Sequence, residues 1–233
     1  MSEVWTIQSP DGPFSAYVAR PQGEGPWPAV VVIQEIFGVN AVMRETCDAI
    51  ARHGNYLAVC PDLFWRIQPG IDITDQTQAE WDLAMGYLGR FDIDKGVDDI
   101  RATIDMVRGR PECSGKVGDV GYCLGGKLAF LTATRTDADA SVSYYGIGLA
   151  DIVAEVEKLA HPLMLHIAGE DSYFPKPAQE MVIGALKDHP QVTIHTYPGR
   201  DHAFARRGGK NFDQHDAGLA NDRTMDFFKR HLG

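Results

Sequence analysis

Residues 116–130 read KVGDVGYCLGGKLAF. An apolar run closes on Gly121, Tyr122, Cys123, Leu124 and the pair Gly125-Gly126, and an Ala/Leu-rich segment follows. This is the layout of a nucleophile elbow, G-x-S-x-G, with cysteine where serine usually stands. The elbow forces its central residue into a strained backbone conformation, and the approach of strand to helix leaves no room for side chains at 121 and 125. It also sets Cys123 at a helix N-terminus, where the dipole favours a thiolate. A cysteine met at random is most often a small core residue. Between a strand and a helix, flanked by glycines, it reads as a nucleophile.

A nucleophile needs a base, and the base needs an orienting group. The strand-like run PLMLHIAG (162–169) is followed by Glu170-Asp171, and VTIHTYPG (192–199) by Arg200-Asp201-His202. The chain order of nucleophile, acid and base is that of the α/β-hydrolases. The expected triad is therefore Cys123–His202–Asp171, with Asp201 and Glu170 as alternative acids. The backbone N–H of Leu124 and that of Ile36, just past the early strand in VVVIQEIFG (30–38), are the expected oxyanion donors. Glu35, a carboxylate at the tip of that strand, is either a salt-bridged structural acid or a partner controlling ionisation of the Cys123 thiol.

The rest of the chain fits the same plan. FSAYVAR (14–20) reads as an antiparallel strand after the Pro10-Asp11-Gly12 turn, and PAVVVIQ (28–34) as a strand buried on both faces. Asn40 caps a helix over 41–53 that Gly54-Asn55 ends, and YLAVCPDLF supplies the next strand. Helices are expected over 75–90, 94–109, 124–135, 175–188 and 216–232. The remaining strands are 116–121, ASVSYYG, HPLMLHIAG and QVTIHTYPG. Strands alternating with crossover helices imply an α/β-hydrolase fold: a mostly parallel central sheet with helices on both faces and no large lid, in a single domain over 1–233. Ligands of such sheets gather at the carboxyl ends of the strands. One residue resists the pattern: Asp119 sits mid-strand, where an unpaired charge costs several kcal/mol.

Composition excludes other classes. A net charge of −10 argues against a nucleic-acid or anionic-membrane surface. The four cysteines, Cys47, Cys60, Cys113 and Cys123, show no C-x-x-C pair and read as thiols of a reducing compartment. The opening MSEVWTIQSPDG has no basic region before an apolar core, and no apolar run is long enough to span a bilayer. A cytoplasmic protein, monomeric by default, is expected. No cofactor is expected either: the histidines lack metal-ligand spacing, and GYCLGG lacks the opening of a dinucleotide fingerprint.

The motifs QEIFGVNAVMRETCDAIA, AVCPDLF, GYCLGG, YYGIG, GEDSYFP and DHAFAR together resemble the dienelactone hydrolase (carboxymethylenebutenolidase) family, over nearly the whole chain. The resemblance implies Cys123 as nucleophile, His202 as base and Asp171 as orienting acid. It further implies Glu35 as the residue governing thiol ionisation and Ile36 and Leu124 as oxyanion donors. Tyr145 would line the pocket, Phe37 would contact substrate, and Arg206 would bind a substrate carboxylate. Enzymes active on dienelactone carry a second carboxylate-binding arginine, a tyrosine and a tryptophan in the helix over 75–90. Here that stretch reads DQTQAEWDLAMGYLGR, with Trp81, Met85 and Leu88 at those positions. The three either form a plain core face or make the pocket more apolar, while Tyr87 and Arg90 lie out of register.

Sulfur restricts the chemistry. A thiolate leaves a tetrahedral intermediate more readily than a simple alkoxide, so attack on an ordinary ester reverts, whereas an enol lactone or aryl ester expels a stabilised oxyanion. The loop AFARRGGK (203–210) forms a local positive cluster that suits a small anionic ester or lactone. Competing readings are an esterase or thioesterase for another substrate, a non-catalytic binding protein of the same fold, and a Cys-Glu amidotransferase or chaperone-like α/β protein.

Overall fold

The computed structural model describes residues 2–233, without the side chain of Ser2. It divides into two compact units, one running to Gly118 and the other spanning Asp119–Gly233. The first contains β1 (Ser2–Ser9), β2 (Gly12–Ala19), β3 (Trp27–Ile33), α1 (Ala41–Ala49), β4 (Leu57–Pro61), α2 (Gln78–Leu88) and α3 (Ile93–Arg108). Strand β5 (Cys113–Tyr122) begins before the boundary and ends after it. The second unit continues with α4 (Leu124–Arg135), β6 (Ser141–Tyr144), β7 (Leu163–Ala168), α5 (Lys176–Leu186), β8 (Val192–Tyr197) and α6 (Gln214–His231).

In the first unit the strands lie in the order β1-β2-β4-β3. The pairs β1/β2 and β2/β4 are antiparallel, and β3/β4 is parallel. Strand β1 has no counterpart in the sequence reading, although Trp5 and Ile7 are buried between exposed Val4, Thr6 and Gln8, the alternation of a half-buried strand. Asn40 caps α1 by accepting the Met43 N–H at 3.2 Å. The helix expected over 41–53 is regular only to Ala49. It then widens into a π-helical turn, Ile50–Gly54, closed by Asn55 at φ 59°.

In the second unit β5, β6, β7 and β8 follow one another in that order, each pair parallel. All six residues of β7 are buried, whereas β8, with one neighbour in this order, is mostly half-buried and carries Thr and His among its apolar residues. Ten of the twelve residues of α4 are buried, which accounts for its nearly all-round apolar sequence. Because these strands run in parallel, residues 123, 145, 171 and 202 all leave the same edge of the unit. Two short 3-10 segments, Leu149–Asp151 and Val153–Lys158, were not anticipated.

Asp119 finds its account in strand register. It pairs with Ser141, whose Oγ donates to Oδ1 at 2.5 Å, while Oδ2 has no hydrogen-bond partner among the described residues. Burial pushes the carboxyl well above the ordinary carboxylate range, and the Ser141 bond only partly opposes it. The mid-strand acid is thus biased toward its neutral form. A raised native value stabilises the fold fully below the unfolded value near 4 and loses that contribution as pH rises. Relative to Asp119→Asn, the wild type should therefore lose stability steadily as pH is raised from about 4. Urea midpoints measured across that range check it; a difference that does not vary with pH would mean the acid is ionised throughout.

Candidate active site

The elbow is tight. Cys123 has φ 57° and ψ −114°, far from the region a side chain prefers, and occupies the N-cap of α4 without a capping side-chain bond. A Cβ at Gly121 would meet the Gly125 carbonyl oxygen at 1.9 Å, and one at Gly126 would meet the Tyr144 carbonyl oxygen at 2.6 Å. Gly126, not singled out from sequence, is therefore as constrained as Gly121. The Cys123 N–H donates to the Tyr144 carbonyl (3.1 Å), tying the turn to the end of β6. Leu124, buried, is the first residue of α4, so its N–H belongs to the unpaired donors of a helix start.

Loops after β7 and β8 bring an acid and an imidazole together. His202 Nδ1 lies 3.1 Å and 3.0 Å from the two carboxylate oxygens of Asp171. The alternative acids stand elsewhere. Glu170 is exposed and pairs with Lys176 at 3.0 Å, and Asp201 Oδ1 accepts backbone N–H bonds from Ser172 and His202. Asp171 Oδ1 also accepts the Tyr173 N–H at 2.9 Å, which fixes the carboxylate within its own loop. His202 Nε2 is buried with no hydrogen-bond partner of regular geometry among the described residues, and the Cys123 thiol is close enough to act on the ring. Burial works against a charged imidazole here, but Asp171 and Cys123 outweigh it and raise the ring to about 10.

Aromatic rings flank His202. Tyr145 meets it edge-on at 5.1 Å and also contacts Phe204 at 5.7 Å. Tyr173, which the sequence reading quoted only within GEDSYFP, meets it at 4.9 Å yet is 56% exposed. Its place two residues beyond the expected acid was the signal that could have found it. Arg206 is buried within the unit, while Arg207 and Lys210 of the same loop are exposed.

The other expected residues lie in the first unit. Glu35 and Ile36 are buried just past β3, and Gln34 braces that segment by accepting the Leu63 N–H (3.0 Å). Phe37 is buried and packs edge-on against Trp81 at 5.2 Å. The approach is set by Gly38, at φ 76°, whose Cα side faces the Ile71 carbonyl too closely for a Cβ. The plain core-face alternative for Trp81, Met85 and Leu88 needs correction. Helix α2 buries Ala84 and Tyr87 instead, leaving Trp81 half-buried and Met85 51% exposed, because Tyr87 packs on Phe64 (5.6 Å) and donates to Gln68 (3.1 Å).

Among the described residues Asp213, His215 and Asp216 come within reach of a common ion, but Arg200 already forms ion pairs with both carboxylates. None of the four cysteines is in a disulfide, and no described helix is long and apolar enough to cross a membrane.

Residues 14–232 match the dienelactone hydrolase family. The chain belongs to that family. A protein of Azospirillum brasilense, provisionally named a carboxymethylenebutenolidase, is 49% identical over the full length of both chains. The carboxymethylenebutenolidase of Pseudomonas putida is 40% identical over 97% of this chain and 96% of its own. Among solved structures, a Klebsiella pneumoniae protein provisionally named a dienelactone hydrolase superposes with a TM-score of 0.85 at 24% identity, covering 98% of each chain. A dienelactone hydrolase-like promiscuous phosphotriesterase from metagenomic libraries gives 0.80 at 19% identity, covering 100% of this chain and 99% of its own. The fold expected from sequence, a mostly parallel α/β-hydrolase sheet with helices on both faces and no large lid, is the one found. As a dienelactone hydrolase family member, the chain is a carboxylic ester hydrolase.

A native imidazole raised to about 10 contributes stability that is complete below the unfolded value near 6.5 and lost as pH rises through 10. The stability gap between wild type and His202→Gln should accordingly shrink between pH 6.5 and 10. Urea denaturation at steps across that window measures it, and a gap that widens would contradict a ring held protonated by its neighbours.

Proposed function

We propose that the protein hydrolyses an activated ester through Cys123, an enol lactone of the dienelactone type opened to maleylacetate in the catabolism of aromatic or chloroaromatic compounds. The observation that carries this reading is the His202 ring, bonded to Asp171 through Nδ1 and raised in basicity by the Cys123 sulphur. The name carried by the Pseudomonas putida relative supports the lactone.

In the proposed course, the Cys123 thiolate adds to the lactone carbonyl, and the Leu124 N–H at the start of α4 donates to the developing oxyanion. Collapse breaks the ring C–O bond and releases an enolate, which takes the proton of the His202 imidazolium and becomes a ketone, leaving the ring neutral. The ketone cannot re-attack, so acylation runs forward even though sulphur is the better leaving group of a simple ester intermediate. His202 then removes a proton from water, which attacks the thioester; the carboxylate product leaves and the thiolate is restored. Asp171 holds the imidazole in the tautomer and orientation that both steps need. Tyr145 bounds the pocket, and Arg206 binds a substrate carboxylate. For Glu35 and Ile36 the support is the family resemblance.

A second reading has a specific observation in its favour. Helix α2 carries Trp81, Met85 and Leu88 and presents Met85 to solvent, which suits a less polar ester or thioester.

A panel of dienelactone, p-nitrophenyl acetate and an acyl thioester separates the two. Cys123→Ala should lower kcat/KM on every accepted substrate by about 1,000-fold or more. Residual activity near wild type would remove the cysteine mechanism. Arg206→Ala should raise KM for the carboxylated lactone by about 10- to 100-fold, as expected for a lost charge-assisted bond, and leave the neutral ester within about threefold. Equal effects on both substrates would remove the anionic-substrate assignment.

A further inference from the structure

Strands β7 and β8 end side by side, with Ala168 opposite Tyr197. Their hydrogen-bond ladder does not stop where the strands do. Gly169 N–H donates to the Tyr197 carbonyl at 2.8 Å and Glu170 N–H to the Arg200 carbonyl at 2.7 Å. One step further the backbones diverge, and the next bond from this loop is to a side chain: Ser172 N–H donates to Asp201 Oδ1 at 2.8 Å. The same oxygen accepts the His202 N–H at 2.6 Å.

One carboxylate oxygen therefore joins the residue after Asp171 to the residue after Asp201, which is His202 itself. The Asp171–His202 bond spans 31 residues of sequence, and its two ends sit on separate loops. Each loop has its own brace. Gln179 Nε2 donates to the Phe174 carbonyl at 2.6 Å on the acid side, and Asn211 Nδ2 donates to the His202 carbonyl at 2.9 Å on the base side. Beyond the last ladder rung, Asp201 supplies the bond that spans the two.

We infer that Asp201 is a positioning residue whose Oδ1, shared between the Ser172 and His202 amides, sets the separation of the Asp171 carboxylate from the His202 ring. The inference rests on reading His202 and Asp171 as base and orienting acid. Burial alone would raise the Asp201 carboxyl, yet the hydrogen bonds from Ser172 and His202 hold it below the ordinary range, as befits a permanently charged acceptor. The groups around the His202 ring are Asp171, Cys123, Tyr145 and Tyr173; Asp201 reaches it through the backbone bonds first and, as a smaller effect, through the attraction of its own charge.

The test uses the full chain and needs no knowledge of the substrate for its first readout. In a histidine-labelled NMR titration, the wild-type His202 ring should keep its proton to about pH 10. In Asp201→Ala, with the acid misaligned, the midpoint should fall by about one unit or more. Asp201→Asn keeps an acceptor oxygen but loses the charge, so its midpoint should stay within about half a unit of wild type, well short of the alanine shift. On an accepted ester, Asp201→Ala should lower kcat about 30-fold or more with KM within about threefold, and Asp201→Asn should stay within about threefold in both. Ser172→Pro deletes the donor from the opposite loop and should reproduce the alanine result, so the test survives if Asp201→Ala does not fold. An Asp201→Ala or Ser172→Pro protein with wild-type titration and kcat would overturn the inference, as would an asparagine variant as impaired as alanine. If wild type and Cys123→Ala hydrolyse every ester alike, the functional reading fails while the titration still decides the role of Asp201.

Discussion

At Cys123 the chain holds a φ of 57° in a residue that carries a side chain, and the surroundings exist in the form they do to keep it there. Gly121 lies directly against the Gly125 carbonyl, and Gly126 against the Tyr144 carbonyl, so the strand, the turn and the helix touch through backbone. A methyl group at either glycine would push the helix start away and let the cysteine relax into an ordinary conformation. The burial of α4 on nearly every side supplies the packing that offsets the strain. Sulphur is thereby held at a helix N-terminus with the first amides of α4 directed to the same place.

Three of the buried titratable groups of the second unit show how partners set their charge. Asp119, with one serine hydroxyl as partner, is pushed toward its neutral form. His166 accepts or donates at both ring nitrogens, to Tyr197 Oη (2.8 Å) and Thr224 Oγ1 (3.0 Å), and burial followed by nearby His195 and Arg223 keeps it uncharged. His202 alone has a carboxylate on one side and a thiol on the other, and it alone is driven toward the charged form. Burial is common to the three; the partner decides. An acid and a histidine biased toward their neutral forms fill space at little electrostatic cost, in contrast to the paired His202 and Asp171 at the strand ends.

Much of this was legible in order along the chain. The glycine pattern around Cys123 could be read because the steric demand of an elbow is local, spanning only a few residues. The acid and base could be read because each follows a strand, and parallel strands deliver their ends to one edge. Helix α4 has the limits its sequence gives, and Asn40 caps where its side chain predicts. What escaped was non-local. Nothing near Asp119 in sequence announces Ser141, since register alone sets them opposite one another. Nothing in DQTQAEWDLAMGYLGR says that Ala84 and Tyr87 are the buried side, because Phe64 and Gln68, which decide it, belong to another segment.

The sequence by itself determined the class of fold, the setting of Cys123 and the kinds of group placed around it, because these depend on short-range periodicity and on residue chemistry at strand ends. Only the tertiary structure decided the partners of the carboxylates at the strand ends, of which the sequence favoured Asp171 for the imidazole. Glu170, Asp171 and Asp201 are all carboxylates close to a strand end, yet loop closure turns the first to Lys176, the second to His202 Nδ1 and the third to two backbone amides. For Asp171 and Asp201 that direction depends on contacts between residues about thirty positions apart, which no local stretch of chain encodes.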